Sequence, residues 1–561
     1  MSELGATADI ASRARRVTPL VLLLAASCGR GADSRPVDSA GTATRTTRAP
    51  VARAPDAGWA SYNGTLDGER FAAPAQLTPQ NVAGLKPVCQ VRLGEKGPLQ
   101  SGPLVVGDTL FVTTGHTTVA VNAATCALLW RQTHPPKSPD VYPVNRGAAY
   151  LAGRLFRGTP DGRLLALDAR TGQVLWDVPV GDPHLGGFTS SAPIAWHGLV
   201  FIGLAGGDWG IRGRVMGFDA ATGKERWRFY TVPMGKEPGA RSWHRPATAA
   251  RGGGATWTSY TLDTAAAELF VPVGNPAPDF APQARPGDNL YTNAVVVLDA
   301  NSGALKWHYQ LIANDGLDYD LGAAPMLYNA GLVPSGGGQR VALGSKDGHV
   351  YAVDRASHQR LFKTAVTTVS APPTPPTRKG VHACPGPLGG VEWNGPAYDP
   401  RTKLIYAGAV DWCGTYTTAT KEALARHKPG MLYYGGSYTP APGDTASGWL
   451  TALDAQTGQV QWQFHAPQPI VAGVTPTAGG LVFTGDLAGT FYAFDAASGK
   501  ALFTYPTRGA IAGGVITYAT GGEQYVATTS GNISRTTFRT AGSPTVIVFG
   551  LNPPAEPRIT T

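Results

Sequence analysis

One ten-residue pattern returns along this 561-residue chain and leaves few folds open to it. It reads VNAATCALLW ending at Trp130, LDARTGQVLW ending at Trp176 and FDAATGKERW ending at Trp227. It returns as LDANSGALKW ending at Trp307 and LDAQTGQVQW ending at Trp462, with looser copies VDRASHQRLF and FDAASGKALF ending at Phe362 and Phe503. An apolar strand ends in Asp-Ala, a Thr-Gly or Ser-Gly turn follows, and the next strand delivers an aromatic ring. That is a β-hairpin whose Asp and Thr can bond the turn backbone and whose Gly can take positive φ. Another strand pair precedes each copy, such as GLVFIG from Gly198 or GLVFTG from Gly480. Units of three or four strands at roughly 45-residue spacing predict propeller blades. With 72 Gly, 46 Pro and only 15% charged residues, the chain is neither a coiled coil nor disordered.

The longer gaps before Trp307 and Trp462 imply insertions around 233–292 and 370–448. The seven copies make seven blades. The segment 81–91 (NVAGLKPVCQV) reads as an isolated outer strand that could complete an eighth blade with strands from about 510–550. Such a closure removes exposed sheet edges. The expected fold is all-β, an eight-bladed β-propeller, with seven blades as the other count.

The net charge of +9 is spread without a basic stripe, which argues against a nucleic-acid partner. A mildly basic body suits an acidic electron-acceptor protein. Arg13, Arg15 and Arg16 precede an apolar run from Val17 to Ala26, the pattern of a signal segment. The run ends LAASC, which resembles a bacterial lipobox with Cys28 as the lipidated residue. The reading is a lipoprotein signal peptide at 1–27, a flexible tether at 28–57, the propeller at 58–552 and a tail at 553–561. No other segment is long and apolar enough to span a bilayer, so the membrane is reached by the lipid anchor only. Of five cysteines, the four besides Cys28 suggest two disulfides in an exported chain. There is no C-x-x-C-H, hence no covalent haem.

The repeat resembles the tryptophan-docking motif of quinoprotein alcohol dehydrogenases, and the resemblance runs from Trp59 to Gly550. Those proteins are eight-bladed propellers that bind pyrroloquinoline quinone (PQQ) and a metal ion. VNRG at Val144–Gly147 is similar to the family segment whose Arg contacts the cofactor, implying that role for Arg146. AGGDWGIRG from Ala205 resembles the family's metal-binding turn. It implies Asp208 as a metal ligand, in place of the usual Glu, and close approach of Gly206 and Gly207 to the quinone. GGGATW resembles the segment whose Trp forms the floor under the ring, here Trp257. GNPAP from Gly274 and RPGDN from Arg285 match the family closely and imply Asn275 as a ligand. NDGLDYD from Asn314 resembles the family's base-bearing segment. It implies Asp318 as catalytic base and neighbour of the metal, and Asp320 as the extra carboxylate of lanthanide-using members. Lys346 and Ser190 stand where the family contacts the quinone.

The departures are specific. Gln100 stands where the family often has Glu, Glu392 replaces a cofactor-facing Asn, and Leu317 replaces a Trp. An adjacent Cys pair is absent before Arg146, and the segment from Ile470 lacks the usual Trp-Gly-Gly. The resemblance implies bridges Cys384–Cys413 and Cys89–Cys126. It implies a PQQ-dependent dehydrogenase with Ca²⁺ or a lanthanide that oxidises a primary or secondary alcohol. Electrons would pass to a separate cytochrome c or other periplasmic acceptor. Two other readings share the fold: a non-catalytic lipoprotein scaffold and a polyol or sugar dehydrogenase. A scaffold has no reason to hold Asp208, Asn275 and Asp318 together.

Overall fold

In the computed structural model, which describes residues 53–331, 338–370, 374–533, 538 and 540–561, the repeats fold into the expected hairpins. Asp219 accepts hydrogen bonds from the amides of Ala221 and Thr222 and from the Thr222 hydroxyl, at 3.1, 3.0 and 2.9 Å. The carboxylates of Asp168, Asp299 and Asp454 do the same in their own turns. The aromatic ring then leaves its own sheet. Trp227 donates to the carbonyl of Ala300 at 3.0 Å, and Trp130, Trp176 and Trp462 donate to Ala169, Ala220 and Ala496. The turn glycine is needed twice over. At Gly303 φ is +71°, and a Cβ there would lie 2.5 Å from the Trp227 ring. Where the pattern lacks Gly, His358 takes the left-handed conformation and stacks on Trp307 at 4.3 Å.

The result is an all-β propeller domain. Seven four-stranded antiparallel sheets occupy residues 104–133, 149–179, 194–230, 261–310, 326–365, 397–466 and 475–506. An eighth sheet joins the two ends of the chain. In it strand Lys86–Arg92 pairs antiparallel with Thr545–Gly550, next to Glu523–Ser530 and Val515–Thr520. Alternate residues of neighbouring sheets interlock into apolar layers; Val88, Val91, Val112, Ile516 and Val548 make one. The Cys89–Cys126 bond, with Cα atoms 6.0 Å apart, ties the strand Lys86–Arg92 to the first docking turn. The second expected bond, Cys384–Cys413, is also formed.

Expectation and structure differ at both insertions and at both limits of the body. The expected insertion at 233–292 contains two regular strands, Thr261–Asp263 and Glu268–Pro272, so the extra chain lies on either side of them. The expected insertion at 370–448 likewise contains Ala397–Asp399 and Leu404–Asp411, and the remainder folds a separate three-stranded sheet from Val381–Ala383, Gly414–Thr418 and Gly436–Pro440. Backbone pairing also passes both limits of the expected body. Ala57 bridges to Ala519, and Arg558–Thr560, in the expected tail, pairs parallel with Lys86–Arg92, which is therefore not the outer strand. The expected signal segment, Cys28 and most of the expected tether lie outside the described residues. Among the described residues no helix is long and apolar enough to cross a membrane.

Candidate active site

Antiparallel pairing brings the start of each sheet's first strand and the end of its second strand to the same end of the sheet. The predicted site residues come from these positions. Arg146, Ser190, Trp257 and Glu392 precede the strands Ala149–Leu151, Ile194–Trp196, Thr261–Asp263 and Ala397–Asp399. Asp208, Asn275 and Lys346 follow the strands Leu199–Gly203, Glu268–Pro272 and Gln339–Gly344. Gln100, Gly206, Gly207, Asp318 and Asp320 complete the set, and all of these residues line one cavity of about 480 Å³.

One group of lining residues is cationic and aromatic. The Arg146 guanidinium carbon lies 4.5 Å from the Trp257 ring centre and 5.1 Å from that of Trp393. Its Nη1 donates to Ser190 Oγ at 2.9 Å and to the Trp257 carbonyl at 3.1 Å. Its Nε and the carbonyl oxygen of the Gln100 side chain are buried without a hydrogen-bond partner among the described residues. Unsatisfied buried polar atoms are costly, so these two are poised for a ligand. Glu392 is raised to about 7, first by burial, while Lys346 and Arg146 oppose the shift and Asp320 adds to it.

A second group of lining residues is acidic. Lys346 Nζ stands 3.1 Å from Asp318 Oδ2 and 3.1 Å from Asp320 Oδ2. Asp320 Oδ1 accepts from the Asn275 amide at 2.6 Å, which couples two loops. A Cβ at Gly274 would fall 2.4 Å from that same oxygen, so only glycine allows this approach. Asp318 has φ +59°, in the left-handed region that Asp and Asn enter more readily than other residues besides Gly. Asp315 holds it there by accepting from the amides of Leu317 and Tyr319 at 2.9 and 2.8 Å. Burial raises Asp318 well above the ordinary carboxylate range; Lys346 opposes, and Asp320 and Asp208 add to the shift. Asp208 rises to about 6, by burial and then Asp320, with Lys346 opposing. Burial would lower Lys346, yet Asp318, Asp320 and Glu392 outweigh it and hold the ammonium well above its ordinary value.

The donor set of this second group is oxygen throughout, which suits a hard cation of the Ca²⁺ or lanthanide kind. The first group, with a flat indole and unpaired guanidinium and amide atoms, suits a planar anionic cofactor. The residues present fit both groups.

Several contributors escape a reading of the sequence. Asp315 lies inside a segment singled out for its neighbours and carries no motif of its own. Tyr142, Phe188, Trp209, Phe280, Tyr434, Tyr438 and Phe538 also line the cavity, from loops far apart in sequence. Asp279 is buried beside the acidic group, one residue past GNPAP, with no periodicity to mark it.

Comparison with known proteins gives the family of the chain. The family described as "Glucose/ethanol/alcohol dehydrogenase, beta-propeller domain" matches residues 59–373. The family described as "Outer membrane protein assembly factor BamB" matches residues 446–542. The quinohemoprotein alcohol dehydrogenase ADH IIB of Pseudomonas putida is 30% identical over 508 residues, covering 84% of this chain and 73% of the relative. The quinohemoprotein alcohol dehydrogenase of Comamonas testosteroni is 29% identical, covering 91% and 79%. Among solved structures, ADHIIG of Pseudomonas putida superposes with a TM-score of 0.82 at 28% identity, covering 90% of this chain and 82% of that one. A europium-containing methanol dehydrogenase gives 0.79 at 26%, covering 88% and 98%.

Proposed function

The chain belongs to the PQQ-dependent alcohol dehydrogenase family and is an enzyme of that kind; from this premise we propose that it oxidises a primary or secondary alcohol and passes the electrons to a separate periplasmic acceptor. The observation that carries the reading is the convergence of every predicted cofactor, metal and base position on one cavity. We read the eight sheets of four or five strands as eight blades of one ring, closed by the sheet that joins the chain ends.

Bound PQQ supplies the two-electron acceptor chemistry, with a cation as Lewis acid. The chain's own residues do the rest. Trp257 is the flat support, and Arg146, Ser190, Gln100 and Lys346 direct polar atoms towards the cofactor, with Gly206 and Gly207 leaving room for its approach. Asp208, Asn275, Asp318 and Asp320 offer oxygen ligands to the cation. Asp318 takes the proton of the alcohol hydroxyl, and its contact with Lys346 favours the carboxylate form that a base requires. The aromatic rim excludes water from the reacting groups.

Dye reduction tests the reading. Purified protein given PQQ and either Ca²⁺ or a lanthanide should reduce an artificial electron acceptor when alcohols are added. No turnover with any primary or secondary alcohol, under either ion, would reject it. The match to the assembly-factor family does not favour a scaffold, because residues 446–542 include none of the predicted site positions. The europium in a related structure and Asp320 together favour a lanthanide, and substitution of Asp320 by Ala should impair lanthanide-supported turnover more than Ca²⁺-supported turnover. Export and anchoring at Cys28 belong to the same proposal; Cys28→Ser should release the protein from the membrane fraction.

A further inference from the structure

Asp279 is 1% exposed, and both of its carboxylate oxygens are buried without a hydrogen-bond partner. A bare buried carboxylate is among the least stable arrangements a protein can hold, so a structure that keeps one has a cation or donor to meet it. Among the described residues no donor makes a hydrogen bond to either oxygen. The carboxylates whose charge reaches Asp279 are Asp208 and Asp320, and Asp279 in turn acts on Asp318.

Arg285 is the cation that faces this carboxylate, and its donors are spent elsewhere. Nε binds the Pro278 carbonyl at 3.1 Å, and Nη1 binds Asn289 and Asn314 at 3.0 and 3.1 Å. Nη2 binds the main-chain oxygen of Asp279 at 3.1 Å and that of Asp315. Arg285 therefore fixes the backbone of the loop and leaves the side chain unpaired. The side-chain amide of Asn275 lies close enough to favour the charged carboxylate, but its nitrogen donates to the Pro276 carbonyl at 3.4 Å. The loop is held from the other side as well, because the Phe280 amide donates to the Tyr434 carbonyl at 2.7 Å.

We propose that Asp279 is a further anionic group of the cation site formed by Asp208, Asn275, Asp318 and Asp320, neutralised by the bound ion. Asp208, Asp279, Asp318 and Asp320, set against the Lys346 ammonium and the Arg285 guanidinium, leave an excess negative charge suited to a multivalent ion. This rests on the cation-binding reading above and adds a residue to it.

The probe is Tb³⁺, titrated into the PQQ-loaded full-length protein and followed by luminescence sensitised by the cavity tryptophans. Asp279→Asn keeps the shape of the side chain and removes its charge. It should weaken Tb³⁺ at least tenfold while PQQ binding, read by absorbance, stays within twofold of wild type. Affinity for Tb³⁺ within twofold of wild type overturns the proposal and leaves the cation site itself standing, provided Asp208→Ala loses the ion. A wild type that binds no Tb³⁺ overturns both. Thermal melts provide a readout that a merely structural role would not produce. Without a cation, Asp279→Asn should melt higher than wild type, because an uncompensated charge is gone, and its gain in melting temperature on adding Tb³⁺ should be smaller. An ion-free variant that melts lower than wild type also overturns the proposal.

Discussion

The Arg146 guanidinium and the Trp257 indole share one face of the cavity, 4.5 Å apart, and the Trp257 carbonyl accepts one of the guanidinium's hydrogen bonds. A residue that only packed on the ring could be exchanged for another cation. One that also recognises carboxylates needs its planar fork. Arg146→Lys should therefore weaken PQQ, read by quenching of tryptophan fluorescence, about tenfold or more, with the melting temperature little changed. Equal affinity would leave Arg146 with a packing role alone.

Asp318→Asn preserves size and loses the ability to take a proton. Turnover should fall by ~10²–10⁴-fold, the range of a positioned base. PQQ titrations should match wild type, since the predicted ring support is Trp257 and Arg146 and neither is hydrogen-bonded to Asp318. Wild-type turnover in this variant would remove the base assignment.

Glu392 sets a pH dependence. Its ordinary value of 4.5 rises to about 7 in the folded protein. The folded chain then keeps a proton that the unfolded chain releases, so this group favours folding fully below pH 4.5 and loses that contribution as pH climbs through 7. Melting temperatures of wild type and Glu392→Gln, compared from pH 5 to 8, should diverge, with wild type falling relative to the variant. Above pH 7 the ionised Glu392 should also repel the PQQ carboxylates, and the variant should bind PQQ more tightly there. Parallel melting curves would discard the assignment.

The docking turn at Gly303 can be tested against Gly521, a hairpin glycine outside the repeat between Val515–Thr520 and Glu523–Ser530. At Gly303 the added Cβ meets both a left-handed φ of +71° and the Trp227 ring. At Gly521 φ is +62°, and no atom lies within 4 Å of the added Cβ. Gly521→Ala should cost ~1–2 kcal/mol from backbone strain alone, and Gly303→Ala should cost a further ~1–3 kcal/mol from overpacking. Equal losses in urea titrations would show that the ring yields without cost.

What could be read from the chain follows from the range of the interactions. The hairpin ending at Trp227 is encoded within ten residues, by Asp219, Thr222 and Gly223, so its fold is visible in the string. Asp208, Asn275 and Asp318 were legible because each sits in a short segment with a recognisable neighbour pattern. Arg558–Thr560 was not. Three residues after a proline-rich stretch show no alternation, and their partner lies near the other end of the chain. Asp279 was hidden for a similar reason. An acid beside Pro278 reads as a turn residue until three dimensions remove its solvent and its partners.

The sheet that unites Lys86–Arg92 with Thr545–Gly550 has a consequence for biogenesis. Most sheets of this protein can form as soon as their own residues have left the ribosome or the export channel. This one cannot, because its early strand must wait for nearly the entire polypeptide to be made before its partner exists. Until then Val88 and Val91, buried in the finished sheet, stay open to any passing strand. A chaperone that covers residues 86–92 would have its longest task here, and a message truncated before codon 545 would yield a product that never satisfies its own beginning.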